Sequence, residues 1–545
     1  VTILLRPVAT PAPLVHVEID VDVPTSDLGA WRMNGGSVDR IGHASARDSK
    51  GDIGVQPRAR SVGPAIDLTF DRPPTGPVHV AYDVLAGDDA PDDPLGLYVV
   101  DDRFRGAGDT LLALPEAVED ATLAVTLRID PEPLRAPSAA SSLGVGTVRR
   151  TRTRPRALRY ATFLAGSLGA GEFDAVEGHD EGVWLGYTAF DPRPVVAELA
   201  QVRTGFAELF KADLPYPPWT YLFLSQTRPI GSFTTTPRAA STLVQVGPSE
   251  TWSAPLRLSI AQQLVRPWVG GELRIAAERG KDAEAYWFSE GVARYVATRL
   301  LARLALLSPN EWHDAITGEL AVLATSPDRA LGNADLAALA QKGDAIARAT
   351  LAARGAVYAA RESAALRGRT KGEKGIESEI LALMQQARER VPGGQATQSA
   401  VTPATWVSAL SKDDPDAGKN FDGVVIKGTL ASLPPNALGP CFRAGTGEYV
   451  AFDAGFDVEG TKATKDGKVV GLRAGGPAAK AGLKEGDLLA SMQGREGDAG
   501  VPLKLVLTRG GEKVALTYAP KGARGQGQTW TRVPGVSDDR CGDPP

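Results

Sequence analysis

Histidine is the residue this chain most conspicuously lacks: 545 residues contain five, and none lies between His179 and His313. A segment that long without imidazole has no means of building a His-based metal centre from its own residues. Cysteine is scarcer still. Cys441 and Cys541 are the only two, and nothing around them has metal-ligand spacing, which leaves one disulfide across a long loop or two free thiols. The disulfide is the preferred reading, and with it an exported protein. No run of 18 or more apolar residues occurs, so the sequence offers no membrane span. An excess of basic charge is also missing. The net charge of −5 and a pI near 5.8 give no electrostatic case for nucleic acid. Methionine is rare beside abundant Ala, Arg, Gly and Pro, a compositional bias rather than chemistry. The chain starts at Val1, and the apolar stretch in VTILLRPVATPAP is too short for an intact signal peptide. A start without Met fits either a removed leader or a trimmed start, and export to the periplasm, the outer surface or the medium is an expectation that rests on this and on the preferred disulfide.

What is present is ordinary globular material, 43% hydrophobic and 23% charged, in a length that suits roughly three domains. Residues 1–160 read as all-β. His16–Val23, Ala65–Phe70 and Val78–Val84 alternate apolar and polar with period two, and Pro, Gly and Asp clusters separate them. The run Arg149–Arg156 alternates arginine and is best read as a solvated edge strand or connector rather than an anion site. From about 190 the apolar spacing turns helical. Pro194–Phe210, Leu258–Val269, Ala283–Leu307 and several helices within Ala334–Arg388 are expected, with a buried strand at Tyr221–Leu224. Gly393–Ala404 reads as a linker. A β domain followed by a helix-rich one makes the fold class α+β and multidomain.

Two segments of the middle region carry the chemistry: Ser259-Ile-Ala-Gln-Gln-Leu-Val-Arg-Pro-Trp-Val-Gly270 and Trp287-Phe-Ser-Glu-Gly-Val-Ala-Arg-Tyr295. Together they resemble the metal-site segments of gluzincin aminopeptidases, where a helix bearing HExxH precedes one bearing W-x-x-E-G. There, histidines at i and i+4 share a helix face and grip Zn²⁺, the Glu after the first is general base, and a Glu from the next helix is third ligand. Alignment on Trp268 and Gly270 puts Gln262 and Arg266 at the histidine positions, Gln263 at the base and Glu290 at the third ligand. A one-residue shift gives Ala261, Gln262 and Val265 instead. Neither register ligates zinc: an amide is a poor substitute for imidazole, and arginine stays protonated. Gln263 cannot take a proton from water. The resemblance therefore implies zinc, while the residues imply none.

Glu290 is expected to pair with Arg266, the cation standing where the metal would. Tyr295 is a transition-state donor in one reading and core packing in the preferred one. Trp268 and Trp287 read as core aromatics, and Pro267 should end or kink its helix. Gly231–Thr236, where the family's substrate-amine element would fall, carries no acidic residue.

The C-terminal stretch Val469–Leu489 resembles the core of a PDZ domain, with Gly476-Pro-Ala-Ala opening a short helix. Leu503–Tyr518 then reads as a hairpin turning at Gly510-Gly511. Asp453, Ala454, Gly455 and Phe456 sit where that family's carboxylate-binding loop would be. Gly108–Glu116 and Trp287–Gly291, together with the final PDZ-like domain, resemble the glycyl aminopeptidase family, whose members join a β domain, a thermolysin-like domain and a PDZ domain. The implied organisation is an N-terminal β-sandwich-like domain at 1–160, a degenerate thermolysin-like peptidase domain at 161–400, a connector at 401–445, a PDZ domain at 446–522 and a tail at 523–545. The expected function is that of a catalytically degenerate relative binding peptides or protein C-termini. The alternatives are an active aminopeptidase for N-terminal Gly or Ala with unusual ligands, and a different polar chemistry in the same cleft.

Overall fold

The computed structural model describes residues 1–23, 28–61, 65–87, 93, 96–174, 179–187, 189–211, 218–225, 233–389, 399–429, 432–464, 466–538 and 541. The chain is α+β, and it divides into two compact units. One comprises Val1–Ala197, Tyr216–Arg228 and Phe233–Glu250. The other comprises Glu198–Pro215, Pro229–Ser232 and Thr251–Pro545.

The first unit is β-rich. The period-two segments form the strands Leu14–Val21, Ile66–Phe70 and Val78–Leu85 of a ten-stranded sheet. Alternation turns Val15, Val17, Ile19 and Val21 into the core and leaves His16 to pair with Asp83 outside it. The basic run becomes Val148–Thr153, at the edge of that sheet, antiparallel to Leu123–Ile129. A second, five-stranded sheet includes Thr162–Gly166 and Arg103–Ala107. A third, also five-stranded, begins with the edge hairpin Leu168–Asp174 and His179–Leu185. It continues through the parallel strands Thr220–Ser225 and Ser241–Val246 and ends on Phe233–Arg238. Phe233–Thr236 of the expected amine-binding element lies in this last strand; Gly231 and Ser232 lie outside the described residues.

The second unit is helix-rich, then β. Its helices include α1 (Ala254–Val265), α2 (Ala293–Arg303), α3 (Pro309–Thr325), α4 (Ala345–Arg369) and α5 (Ile376–Glu389). Ser308 and Glu311 close a reciprocal cap at the start of α3, the S-x-x-E pattern that marks a helix entry. Two helices differ from the sequence expectation. The first runs over 254–265 rather than 258–269, because Pro267 cannot continue it. The second, expected unbroken from Ala283 to Leu307, is a short 3₁₀ turn at Asp282–Ala285, a π-helical turn at Trp287–Val292 and then α2.

Glycine explains how the π-helical turn meets α4. A Cβ on Gly291 would strike the Ala352 carbonyl oxygen, and one on Gly355 would be driven into the Trp287 carbonyl oxygen. Both obstacles are backbone, so no rotamer relieves them. Gly355→Ala should therefore cost about 3 kcal/mol despite alanine's better helix propensity. Gly368→Ala, in the same helix with open space around it, should be neutral or stabilising by about 0.5–1 kcal/mol. Urea unfolding of the two variants checks this, and equal midpoints would sink it.

Beyond α5, the strand Phe442–Phe452 pairs antiparallel with Lys521–Arg532 as a long two-stranded ribbon. Residues placed in a tail from the sequence thus hold a strand. The ribbon's far end packs on α3, where the His313 ring stacks on Phe442 and its Nε2 lies 3.1 Å from the Trp530 carbonyl oxygen. Cys441 and Cys541 are joined in a disulfide. Between the ribbon strands lies a small β domain with its own core around Val469, Leu483, Leu505 and Leu507. Its three-stranded sheet contains the hairpin Leu503–Arg509 and Glu512–Tyr518, with positive φ at Gly510 and Gly511 as a tight turn requires.

Among the described residues, no helix is long and apolar enough to cross a membrane.

Candidate functional site

The helix α1 is apolar on almost every side: Leu256, Ile260, Ala261, Leu264 and Val265 are all buried. Gln262 and Gln263 are buried with it, and a buried amide needs partners. Gln262 finds them on the next segment. Its Nε2 donates to the Glu290 backbone carbonyl at 3.2 Å, and its Oε1 accepts from Arg294 Nε at 3.3 Å. Gln263 Oε1 is closed to solvent and has no hydrogen-bond partner among the described residues.

Because α1 ends at Val265, Arg266 leaves from its cap and turns to the carboxylate expected for it. Arg266 Nη2 lies 2.9 Å from Glu290 Oε2. The other oxygen, Oε1, takes a hydrogen bond from Arg348, a residue of α4 that lies over the Tyr286 ring at 5.2 Å. Burial works against the Arg348 charge, but the Glu290 hydrogen bond and charge outweigh it and raise the guanidinium's pKa. One turn after Glu290, Arg294 Nη1 meets Glu319 Oε1 at 2.8 Å. Glu319 is the first cause of a raised pKa for that arginine, again against burial.

The centre is thus three guanidinium groups and two carboxylates laced to an amide. Arg294, Glu319 and Arg348 escaped the sequence reading. Arg294 had a signal, since it stands four residues after Glu290 and so shares its helix face; Arg348 comes from a distant helix and had none. Tyr295 does not join them. It is buried, edge-on to Trp312, and burial raises its pKa. Trp268 stacks on Phe210, and Trp287 meets Tyr358 and Phe421 edge-on.

This donor set does not fit zinc. Both oxygens of Glu290 are held by arginines, which cannot ligate a metal, and the neighbouring Gln262 and Gln263 offer only neutral amides. All five histidines lie elsewhere. His16 and His43 are on Asp83, His79 is on Asp20, His179 is near Glu172 and His313 is on the ribbon. What the site offers is hydrogen bonding: an enclosed amide oxygen on Gln263 and the half-exposed guanidinium of Arg348.

In the small domain, Asp453–Phe456 is a turn whose N–H groups are partly spent. Gly455 N donates to Asp453 Oδ1 at 2.7 Å and Asp453 N to the Pro520 carbonyl at 2.8 Å. Ala454 and Phe456 are buried, and Arg473 pairs with the Asp453 carboxylate. Beside the turn opens a pocket of about 570 Å³ lined by Asp453, Gly476, Lys480, Thr517, Tyr518 and Lys521.

An aminopeptidase N family protein from Idiomarina loihiensis superposes over 100% of both chains with a TM-score of 0.68 at 17% identity. The likeness is one of fold. An M1 zinc metallopeptidase from Deinococcus radiodurans (16% identity, 79% of this chain and 94% of that one, TM-score 0.47) and yeast LTA4 hydrolase (10%, 79% and 68%, TM-score 0.48) also resemble it. No family model and no curated protein matches the sequence.

Proposed function

We propose that this chain is a catalytically degenerate aminopeptidase-like protein that binds peptides or protein C-termini without hydrolysing them. One observation carries the reading: Glu290, at the position of a third zinc ligand, has both carboxylate oxygens committed to Arg266 and Arg348. In this centre the cation beside Glu290 is arginine, and Gln263, at the position of the general base, cannot take a proton from water. Binding fits what remains. The small domain, PDZ-like in its Gly-Pro-Ala-Ala helix and hairpin, has a pocket with Lys480 and Lys521 on its wall, cations suited to a peptide's terminal carboxylate. The disulfide favours an oxidising compartment outside the cytoplasm.

The test is zinc loading and dialysis followed by metal analysis, with Gly- and Ala-aminoanilide hydrolysis measured on the same sample. Expected are no turnover and no zinc dependent on Glu290. Turnover that disappears in Glu290→Gln together with an equivalent of zinc would overturn the reading and restore an active aminopeptidase.

A further inference from the structure

Histidine and two carboxylates meet far from Glu290 in the chain, on the edge hairpin formed by Leu168–Asp174 and His179–Leu185. Glu172 stands directly opposite Glu181 in the antiparallel register, and His179 precedes Glu181 by two residues, on the same face of its strand. One ligand atom from each lies within 4.8 Å of the others, and His179 Nε2 is 3.7 Å from Glu172 Oε1. Like charges facing each other across a strand pair are destabilising unless something positive is shared between them.

A second observation concerns Glu181 alone. Its Oε2 is closed to solvent and has no hydrogen-bond partner among the described residues, a costly state for a carboxylate oxygen. Burial raises the Glu181 carboxyl pKa, opposed by the charges of Arg150 and His179 and by a backbone hydrogen bond from Val145, and reinforced by Glu172. Arg150 contributes its charge to Glu181, while its Nη2 donates to the Leu143 carbonyl at 2.6 Å.

We propose that Glu172, His179 and Glu181 form a binding site for a divalent transition metal such as Zn²⁺, with one imidazole nitrogen, two carboxylate oxygens and water completing the shell. The imidazole selects against Mg²⁺ and Ca²⁺, which prefer all-oxygen shells, and three protein ligands with an open position is a common zinc arrangement. The ion relieves the Glu172–Glu181 repulsion and ties the two strands of the edge hairpin together.

The test is calorimetric titration of the full-length chain with Zn²⁺, repeated on His179→Ala, Glu181→Gln and Glu290→Gln, with Co²⁺ absorption reporting the ligand field. The parent should take up one Zn²⁺ per chain. His179→Ala and Glu181→Gln should weaken uptake about tenfold or more, and Glu290→Gln should leave it intact. No binding, equal binding in every variant, or loss confined to Glu290→Gln would each overturn the site. The last outcome would also strike at the proposed function, whereas loss confined to the hairpin variants leaves that function standing. Metal analysis of the Glu290 centre is therefore best made on the His179→Ala chain.

Discussion

Glutamine in place of Glu362 should stabilise the protein above pH 8 by about 2–5 kcal/mol and change little near pH 4. Glu362 lies on α4 with no solvent exposure. Burial, and then the nearby Asp414 charge, push its carboxyl up to about 8 from an ordinary 4.5. The Asn420 side chain donates to its Oε1 at 2.9 Å, while Oε2 has no partner among the described residues and suits the proton. Between the two pKa values the folded chain holds a proton that the unfolded chain has released, so stability falls as pH rises. The contribution is complete below about 4.5 and gone once pH passes about 8. The amide of Glu362→Gln imitates the protonated acid and cannot ionise, so its stability should be flat across that window where the parent's declines. Urea unfolding followed by tryptophan fluorescence measures this, and Trp406, whose Nε1 lies 3.2 Å from the Tyr358 hydroxyl one helical turn from Glu362, is one of the reporters. Parallel pH curves for parent and variant would show that Glu362 is ionised in the folded state and end the argument.

Breaking the Cys441–Cys541 bond should cost about 2–5 kcal/mol, because it closes a long stretch of chain and restricts the unfolded state. The two residues are 100 positions apart and both are buried. The damage should appear first in the ribbon, whose strand Lys521–Arg532 has few buried side chains to hold it. Hydrogen exchange of that strand, before and after reduction confirmed by thiol counting, should show faster exchange in the reduced protein, as should Cys541→Ser. Unchanged exchange in a fully reduced sample would mean that packing of the ribbon on α3 suffices.

Much of this fold is legible locally. Strands with one face in a core announce themselves by period two, as Leu14–Val21 and Val78–Leu85 do, and Gly510-Gly511 fixes its hairpin by the φ values it alone permits. Pro267 marks the end of α1. What escaped notice is what locality does not encode. Lys521–Arg532 reads Lys-Gly-Ala-Arg-Gly-Gln-Gly-Gln, with no apolar alternation, because a two-stranded ribbon buries little on either face. The π-helical turn at Trp287–Val292 meets α4 where Gly291 and Gly355 approach closely, roughly sixty residues apart, a separation that no window-based periodicity reaches. At the Glu290 centre, the pairing with Arg266 follows from charge and spacing, while the second arginine arrives on α4 and is visible only in three dimensions.

The register of the ribbon has a consequence for how such a chain is assembled from parts. Phe452 and Lys521 face each other as cross-strand partners, so everything from Asp453 to Pro520 leaves and returns at one point, as a loop would. The apolar cluster inside that excursion draws only on its own residues and the strand end at Phe452. Topologically it is a cassette set into the turn of a hairpin. Exchanging it for another would reroute no strand or helix elsewhere, so a new binding specificity is able to enter this scaffold as a single graft.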